Sequence, residues 1–350
     1  MKSRKRSEPF ARRHRLGDLM ARSGHTQGAG CHRCGARLTD ASSDTHSVGM
    51  RSPGPLPPHL RDRPFTTAAA LSAGVNAGRL RANDLNAPFH GVRQPEGSTD
   101  TAGSLASAYA AKMPPRAFFS HGTAAALWGI PIPFRDRLTH VGTIPGSPMP
   151  RGTGVRGHRL QVDPTDIVTR DGLRLTSQAR TWCDLSTVLS GEDLVAAGDY
   201  LLWRRRFERV TRADLAEAVS RYTGRRGRPA LDVAFPLLSD SSDSRPESVF
   251  RFRTIQDGLP EPLPNFPIYD DRNTFVAQPD LVFVDYRVCF DYEGEHHFTD
   301  QAQWSKDLGR VRRIEDAGWS HVRAGKTDLR DSRAVFATLR TRLRARGWPG

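Results

Sequence analysis

The chain has 350 residues, more than one compact core usually needs, so we expect two or three domains. Its 52 Lys and Arg outnumber its 38 Asp and Glu, which gives a formal net charge of +14. Four cysteines exclude a disulfide scaffold, and no apolar run is long enough for a transmembrane helix. Because the basic N-terminus lacks the apolar stretch of a secretory signal, we expect a cytoplasmic protein without a membrane partner.

The excess positive charge is concentrated at the two ends of the chain. Residues 1–50 have a balance of +6 and residues 301–350 a balance of +7, which leaves +1 for the residues between them. Such clustering is typical of surfaces that bind phosphate groups, so we expect DNA as the partner and no small-molecule cofactor. A basic tail and a basic C-terminal helix that only aid solubility are the alternative.

Residues 1–58 are predicted to form a disordered basic tail. Arginine runs alternate there with Gly- and Ser-rich stretches, and the segment ends in a Pro-rich sequence. Cys31-His-Arg-Cys34 lies within it and is half of a zinc site, but no second ligand pair follows at zinc-finger spacing. Met50 opens the part of the chain with a globular composition and is an alternative start of translation.

Residues 59–96 are predicted to form a winged helix-turn-helix. The sequence predicts a short helix over 66–74 that ends in a glycine turn, a second helix over 76–83, and a β-wing after it. Arg79 and Arg81 lie on the second helix, where they are expected to face a DNA groove or its phosphates. A helical hairpin with solvated arginines is the alternative.

From the winged helix onward, the chain resembles the AbiEi-type antitoxins. The segments 119–131 (FSHGTAAALWGIP) and 172–185 (GLRLTSQARTWCDL) are similar to the small α/β region that follows the winged helix in that family. The resemblance implies a small α/β middle domain over 104–222. Neither segment contains a catalytic constellation, because His121 and Asp184 are lone polar residues in apolar helices, as expected of helix caps or satisfied core groups.

A basic segment and a polar segment separate this region from the C-terminal part. Arg225-Arg-Gly-Arg-Pro229 reproduces the core of an AT-hook, whose arginines lie in an A·T-rich minor groove. We prefer a basic linker that leads into a helix at Ala230. The polar run Asp240–Ser244 is the predicted domain boundary.

Residues 240–348 are predicted to form a domain with the element order αβββαβ. Its first helix starts at Ser244, the strands 275–284 and 287–293 form a hairpin, and a helix over 300–317 leads to the last strand. With the N-terminal parts, this order places the protein in the α/β (α+β) class.

The hairpin is predicted to bring acidic side chains together. If it turns at Asp285-Tyr286, then Asp280 lies directly opposite Asp291. Because alternate residues of a strand share a face, Glu293 lies on the same face. Three carboxylates in one place repel one another unless a cation is bound, and clustered oxygen ligands suit Mg²⁺ or Mn²⁺. The sequence therefore predicts a divalent-metal site at this hairpin.

The C-terminal motif resembles the core of the PD-(D/E)xK nucleases. Over roughly residues 244–330 it is more specifically similar to the very-short-patch-repair-endonuclease-like family, domain of unknown function 559. The resemblance is carried by Glu247, Pro279-Asp280, Asp291-x-Glu293, the run 290–297 (FDYEGEHH), Asp307-x-x-Arg310 and Gly318-Trp319. It implies a restriction-endonuclease-like fold and a metal-dependent DNA endonuclease.

The resemblance also implies roles for the acidic residues. Asp280 and Asp291 would hold the metal, with Glu247 oriented beside them by its helix. A bound metal polarises the scissile phosphate and generates hydroxide from water. Each residue has a structural alternative: Glu247 forms a capping box with Ser244, and the two aspartates are ordinary strand carboxylates.

The chain departs from the nuclease pattern at Glu293, which stands where a lysine is usual. Another group must then assist the attacking water or stabilise the transition-state charge. His297 is the candidate for proton transfer and Arg310 for binding phosphate. The alternatives are a surface histidine at 297 and a surface ion pair between Asp307 and Arg310.

Two functions from different classes follow from these observations. The first is a DNA-binding protein with a divalent-metal-dependent, endonuclease-like domain that hydrolyses or nicks phosphodiester bonds, which Asp280 and Asp291 favour. The second is a non-catalytic, antitoxin-like transcriptional regulator that keeps a degenerate nuclease fold for DNA docking, which Glu293 favours. An RNA-directed nuclease is a third, weaker alternative.

Overall fold

The computed structural model describes residues 53–97, 101–134, 136–208, 210–294 and 301–350, with the side chains of 301–308 outside the description. In these residues the chain is a mixed α/β protein, in agreement with the expected α+β class. The helices are α1 (Pro58–Arg61), α2 (Thr67–Ser72), α3 (Ala102–Ala110), α4 (His121–Trp128), α5 (Gln178–Leu185), α6 (Gly191–Leu202), α7 (Arg212–Arg221), α8 (Arg228–Ala234), α9 (Arg245–Gln256), α10 (Gln301–Asp316), α11 (Lys326–Arg330) and α12 (Arg333–Ala345). The strands are β1 (Phe65–Thr66), β2 (Leu85–Asn86), β3 (Val92–Pro95), β4 (Ala117–Phe119), β5 (Thr139–Thr143), β6 (Val155–Arg159), β7 (Ile167–Arg170), β8 (Leu173–Thr176), β9 (Leu263–Pro264), β10 (Ile268–Tyr269), β11 (Phe275–Ala277), β12 (Leu281–Phe283), β13 (Val288–Tyr292) and β14 (Ser320–Ala324).

None of these described helices has both the length and the apolar character that a bilayer-spanning segment needs.

The N-terminal part combines the short helix α2 with a three-stranded antiparallel sheet of order β1-β3-β2. The segment predicted as a second helix, residues 76–83, forms only a 3-10 turn at Arg79–Arg81. The side chain of Asn76 accepts a hydrogen bond from the backbone N–H of Arg79 (2.8 Å). Asparagine side chains that bind the backbone in this way compete with helix formation, which explains the difference.

Residues 53–58, which the sequence assigns to the basic tail, contact the folded N-terminal part. Leu56 is buried, and the carbonyl oxygen of Gly54 accepts a hydrogen bond from Nε of Arg79 (2.6 Å). The core around Leu56 contains Leu60, Phe65, Ala70, Val75 and Leu80. The rest of the predicted tail, including Cys31 and Cys34, lies outside the described residues.

The middle part is built on a five-stranded mixed sheet of order β6-β5-β4-β8-β7. All residues of β4 and β5 are buried, as expected of central strands covered on both faces. The helices α5–α8 form a second core around Trp182, whose indole N–H donates to the carbonyl oxygen of Leu194 (2.8 Å). α8 begins at Arg228, so the basic segment before it leads directly into a helix.

The C-terminal part contains a four-stranded sheet of order β14-β13-β12-β9. β12 and β13 form the predicted hairpin, with Leu281 opposite Phe290 and Val282 opposite Cys289, the register expected from the sequence. The connection is a 3-10 turn at Val284–Tyr286 that Arg287 closes with a positive φ of 47°. After α10, β14 returns parallel to β13.

Helices α6 and α9 join the middle and C-terminal parts, on either side of the predicted boundary at 240–244. The guanidinium of Arg251 on α9 lies 2.9 Å from the carboxylate of Asp199 on α6, and these side chains are only 3% and 1% exposed. Nearby, Arg253 makes a bidentate pair with Glu192 (2.6 and 2.7 Å). The sequence regions assigned to two domains therefore share a buried ionic contact.

We expect Arg251→Met to destabilise the protein by about 3–5 kcal/mol, because it leaves the buried Asp199 without its cationic partner, with the backbone N–H of Ser239 (2.7 Å) still donating to it. Replacing both residues, with Arg251→Met and Asp199→Leu, should recover most of that loss. Urea unfolding of the single and double variants measures both effects. The control is Arg205→Met, since Arg205 is 54% exposed in its pair with Asp243 and should contribute less than about 1 kcal/mol. Equally small losses of unfolding free energy in Arg251→Met and Arg205→Met would contradict the expectation.

Candidate functional site

Glu247 is fixed at the start of α9. Ser244 caps this helix, and its hydroxyl accepts a hydrogen bond from the backbone N–H of Glu247 (3.4 Å). The Glu247 carboxylate is buried, and its Oε2 accepts from the backbone N–H of Asp243 (2.8 Å) and from Nδ2 of Asn265 (2.6 Å). The glutamate therefore stabilises the helix start and also lies beside the hairpin.

Asp280 and Asp291 meet across the hairpin, as the register predicts. Oδ2 of Asp280 accepts a hydrogen bond from the backbone N–H of Tyr292 (2.6 Å), and Oδ1 of Asp291 accepts one from the backbone N–H of Asp280 (3.2 Å). Each carboxylate is thus held by the backbone of the opposite strand. The arrangement keeps two acidic groups together in a largely buried position.

The two aspartates differ in their electrostatic environment. Burial raises the pKa of Asp280 to about 8, and the neighbouring charges of Asp291 and Glu247 add to the effect. Burial also acts to raise the pKa of Asp291, but the hydrogen bond from His321 and the charge of Arg310 outweigh it, so that pKa is lowered. Burial raises the pKa of Glu247 as well. Asp280 therefore holds a proton at neutral pH, whereas Asp291 is ionised.

Asp291 has two basic partners within the protein. Nε2 of His321, on β14, lies 2.6 Å from Oδ2 of Asp291. A guanidinium nitrogen of Arg310, on α10, lies 3.1 Å from Oδ1 of Asp291 and 3.2 Å from the carbonyl oxygen of Gln278. Arg310 was expected near phosphate, while His321 was not identified from the sequence. The repulsion predicted for the hairpin is therefore largely neutralised within the protein.

His321 could be located only by the parallel pairing of β13 and β14. In this register Cys289 lies opposite His321 and Asp291 lies opposite Arg323. Period-two alternation then places His321 on the face of the sheet that carries Asp291. The sequence signal was a histidine at the second position of a strand, which does not by itself indicate a site.

Glu293 has a partner of its own. Its carboxylate contacts the guanidinium of Arg323, so it does not add an unpaired charge to the two aspartates. Its position after Asp291 is as predicted, and the acid stands where the nuclease pattern has a lysine. His297 lies outside the described residues.

The two arginines predicted to contact DNA are in different environments. The guanidinium of Arg79 makes a bidentate contact with Asp84 (2.8 and 2.6 Å), and the side chain is only 10% exposed. Arg81 is exposed. Arg79 therefore supports the N-terminal fold, and Arg81 is the one free to meet a ligand in solution.

In the middle part, Asp184 and His121 were both expected to be lone polar residues, and the structure places them in different environments. Asp184 is a core group that is only partly satisfied: its Oδ1 pairs with Nε of Arg180 (2.9 Å), its Oδ2 has no hydrogen-bond partner among the described residues, and burial raises its pKa to about 6. His121 is not a lone polar residue, because its ring stacks on His158 at 3.8 Å between centroids and lies 5.8 Å from that of His140. The expectation of an isolated histidine was wrong because β5 and β6 bring their own histidines to the start of α4.

Comparisons with known proteins give distant relatives. No protein-family model matches the chain. Two proteins of Mycobacterium tuberculosis match it, "Uncharacterized protein MT2308" of strain CDC 1551 / Oshkosh and "Uncharacterized protein Rv2248" of strain ATCC 25618 / H37Rv. Each is 27% identical over 209 residues, which cover 60% of this chain and 74% of the relative. Neither relative's name states an activity.

The raised pKa of Asp280 predicts a particular pH dependence of stability. Its folded-state pKa of about 8 exceeds the ordinary value of 3.8. The stabilisation by protonated Asp280 is therefore fully present below about pH 4 and is lost as the pH rises through about 8. Because each pKa unit corresponds to about 1.4 kcal/mol, the total effect is on the order of a few kcal/mol.

We expect Asp280→Asn to remove this loss, since asparagine keeps an acceptor for the N–H of Tyr292 and cannot ionise. Urea unfolding is measured in chelator from pH 5 to pH 9. The free energy of unfolding of the variant should rise relative to that of the natural protein as the pH rises. Asp285→Asn, at an exposed position of the same hairpin, should run parallel to the natural protein. Parallel curves for Asp280→Asn would show that Asp280 ionises normally.

Proposed function

We propose that the chain is a DNA-binding protein whose C-terminal part hydrolyses or nicks phosphodiester bonds with Mg²⁺ or Mn²⁺. The observation that carries this proposal is the placing of Asp280 and Asp291 opposite each other across the β12–β13 hairpin, with Glu247 close enough for its charge to raise the pKa of Asp280. The order of α9, the hairpin, α10 and the parallel β14 is compatible with the restriction-endonuclease-like core implied by the sequence resemblance. Within this proposal the N-terminal part contacts DNA through the exposed Arg81, although the second helix expected of a winged helix-turn-helix is only a 3-10 turn.

The donor atoms of this cluster are of the right kind for a hard cation. Carboxylate oxygens are the preferred ligands of Mg²⁺ and Mn²⁺, and Asp280 exchanges its proton for a cation most readily near its raised pKa. Asp291 binds a cation less readily, because His321 and Arg310 already contact its two carboxylate oxygens. A cation would therefore have to displace at least one of them. When bound, it supplies polarisation of the phosphate and activation of water.

Arg310 and His321, the basic partners of Asp291, each have a role in the proposed reaction. Arg310 is one-third exposed, so once released it can contact a phosphate oxygen and compensate its charge. His321 is buried, and its Nδ1 has no hydrogen-bond partner in the described residues. Released from Asp291, it is a candidate to move a proton in place of the usual lysine. His297 remains a second candidate for that role.

A groove beside the cluster supports a nucleic-acid substrate. It encloses about 610 Å³ and is lined by Arg204, Arg205, Asn265 and Phe266, among others. Asn265 also donates to Glu247, so one wall of the groove adjoins the acidic residues, which do not themselves line it. Arginines can hold the phosphates of a strand, and an exposed aromatic ring such as Phe266 can stack on a base.

One observation favours the non-catalytic alternative. Both oxygens of Asp291 have basic partners within the protein, which is the arrangement of a stable structural ion pair. In that alternative the fold docks on DNA as an antitoxin-like regulator and needs no cation. The two functions make opposite predictions for cleavage.

The cleavage test uses supercoiled plasmid with the purified full-length chain and Mg²⁺ or Mn²⁺. We expect nicking or linearisation that a chelator abolishes. Asp280→Asn should slow it by at least about 100-fold, because a bound metal contributes several kcal/mol to the transition state. Asp285→Asn, on the same hairpin but exposed, should cut at the natural rate. Cutting retained by Asp280→Asn would indicate a contaminant, and no cutting by the natural protein would leave the regulator.

A second test separates the two N-terminal arginines. Arg81→Ala should weaken duplex binding and lower the slope of log affinity against log salt by about 0.9, the value for one lost phosphate contact. Arg79→Ala should instead destabilise the fold by about 1–3 kcal/mol, because it leaves Asp84 without its charged hydrogen bonds. Fluorescence anisotropy in chelator and urea unfolding measure the two effects. An unchanged salt slope for Arg81→Ala would remove it from the DNA interface.

A further inference from the structure

Three histidines meet at one edge of the middle sheet. His121 is the first residue of α4, which follows directly on β4, while His140 and His158 lie on the adjacent parallel strands β5 and β6. His140 pairs with Arg156 and Gly142 pairs with His158, so both histidines point to the same face of the sheet. His121 has a positive φ of 48°, a conformation unfavourable for a side chain with a Cβ, and it is buried there. The fold thus holds this histidine in place at a cost.

The ring nitrogens of the three side chains are close enough to share one ion. One nitrogen of each lies within 4.8 Å of one nitrogen of both others. Nδ1 of His140 and Nε2 of His158 are 2.9 Å apart. Two nitrogens bound to one tetrahedral zinc ion are separated by about 3.4 Å, given Zn–N bonds of about 2.1 Å. Within the described residues, no other group of three or more His, Cys, Asp or Glu side chains is placed in this way.

The remaining ring nitrogens contact groups that would orient the rings. Oδ2 of Asp136 lies 2.6 Å from Nε2 of His140, and Oδ1 of Asp136 is held by the backbone N–H of Leu138 (3.0 Å). Oγ of Ser120 lies 3.1 Å from Nδ1 of His121. A carboxylate behind a histidine is the usual outer partner of a metal-bound imidazole. These contacts leave Nδ1 of His140, Nε2 of His121 and Nε2 of His158 as the nitrogens available to an ion.

The environment keeps the imidazoles neutral, as ligands must be. Burial lowers the pKa of all three, in the case of His158 to about 4, and the positive charge of Arg156 contributes. A cavity of about 240 Å³ lies next to the cluster and is lined by Asp136, His140 and Arg156. Water or a small anion can therefore approach the ion from that side.

We propose that His121, His140 and His158 form a binding site for a first-row transition-metal ion, with Zn²⁺ as the ion of choice and a water or small anion as fourth ligand. Imidazole nitrogens suit zinc, whereas the carboxylates of the hairpin suit magnesium or manganese. The rings turn from their nearly parallel packing when the ion enters, because stacked imidazoles do not point their lone pairs at one centre. Asp136 positions His140 and offsets the charge of Arg156. The site is independent of the proposed nuclease function.

The test uses the full-length chain with Cys31→Ser and Cys34→Ser, because those thiols can bind the same ions. The protein is stripped with a chelator and titrated with Zn²⁺ by calorimetry and with Co²⁺, whose visible absorption reports tetrahedral coordination. We expect one ion per chain and a higher melting temperature with Zn²⁺. His140→Gln and His158→Gln should each lower the affinity at least about tenfold, and Asp136→Asn by about 10–100-fold.

Two matched controls make the result specific. His90→Gln replaces an exposed histidine and should leave affinity and absorption unchanged. Asp285→Asn should also leave them unchanged, because its exposed carboxylate belongs to neither proposed metal site. Circular dichroism in chelator shows which variants fold, and Asp136→Asn carries the test if a histidine variant does not. The proposal is overturned if the parent binds no Zn²⁺ at about 100 times a micromolar dissociation constant. It is also overturned if the parent, His140→Gln and Asp136→Asn bind Zn²⁺ with equal affinity.

Discussion

The burial of Asp280 opposite Asp291 is the constraint around which the C-terminal part is arranged. Two carboxylates in a largely buried hairpin cannot both be ionised without compensation. The compensation is unequal: the carboxylate of Asp291 contacts His321 and Arg310, whereas within the described residues the carboxylate of Asp280 accepts a hydrogen bond from the backbone N–H of Tyr292 and has no basic partner. Asp280 is consequently the group on which a proton or a cation must reside. The chemistry of the site therefore depends on what occupies Asp280.

The surrounding fold holds this constraint in place from outside the hairpin. Glu247 is anchored by Asp243 and Asn265, and its helix α9 is fixed to α6 through the buried pair of Arg251 and Asp199. The middle and C-terminal parts are therefore joined by the ion pairs of α9 with α6, on either side of the polar boundary that the sequence predicts.

The sequence predicted the local geometry of the hairpin but not its neighbours. The register of Asp280 and Asp291 follows from the position of the turn and from period-two alternation, which are both local. His321 reaches Asp291 only through the parallel pairing of β14, and the offset of two strands joined by α10 is not encoded in their own residues. The contact of Arg79 with Asp84 was not predicted for a similar reason, since it depends on a 3-10 turn whose first backbone N–H is bound by Asn76.

The histidine cluster also depends on strand pairing that the local sequence does not predict. His121, His140 and His158 are separated by 18 or 19 positions along the chain, and no spacing motif connects them. They meet because β4, β5 and β6 are adjacent and α4 starts at the end of β4. Burial in this position favours the neutral imidazole and makes a lone pair available, whereas burial at the hairpin favours the protonated carboxylic acid. One physical effect, desolvation, thus prepares a nitrogen site that is ready for a soft or borderline cation and an oxygen site that must first give up a proton.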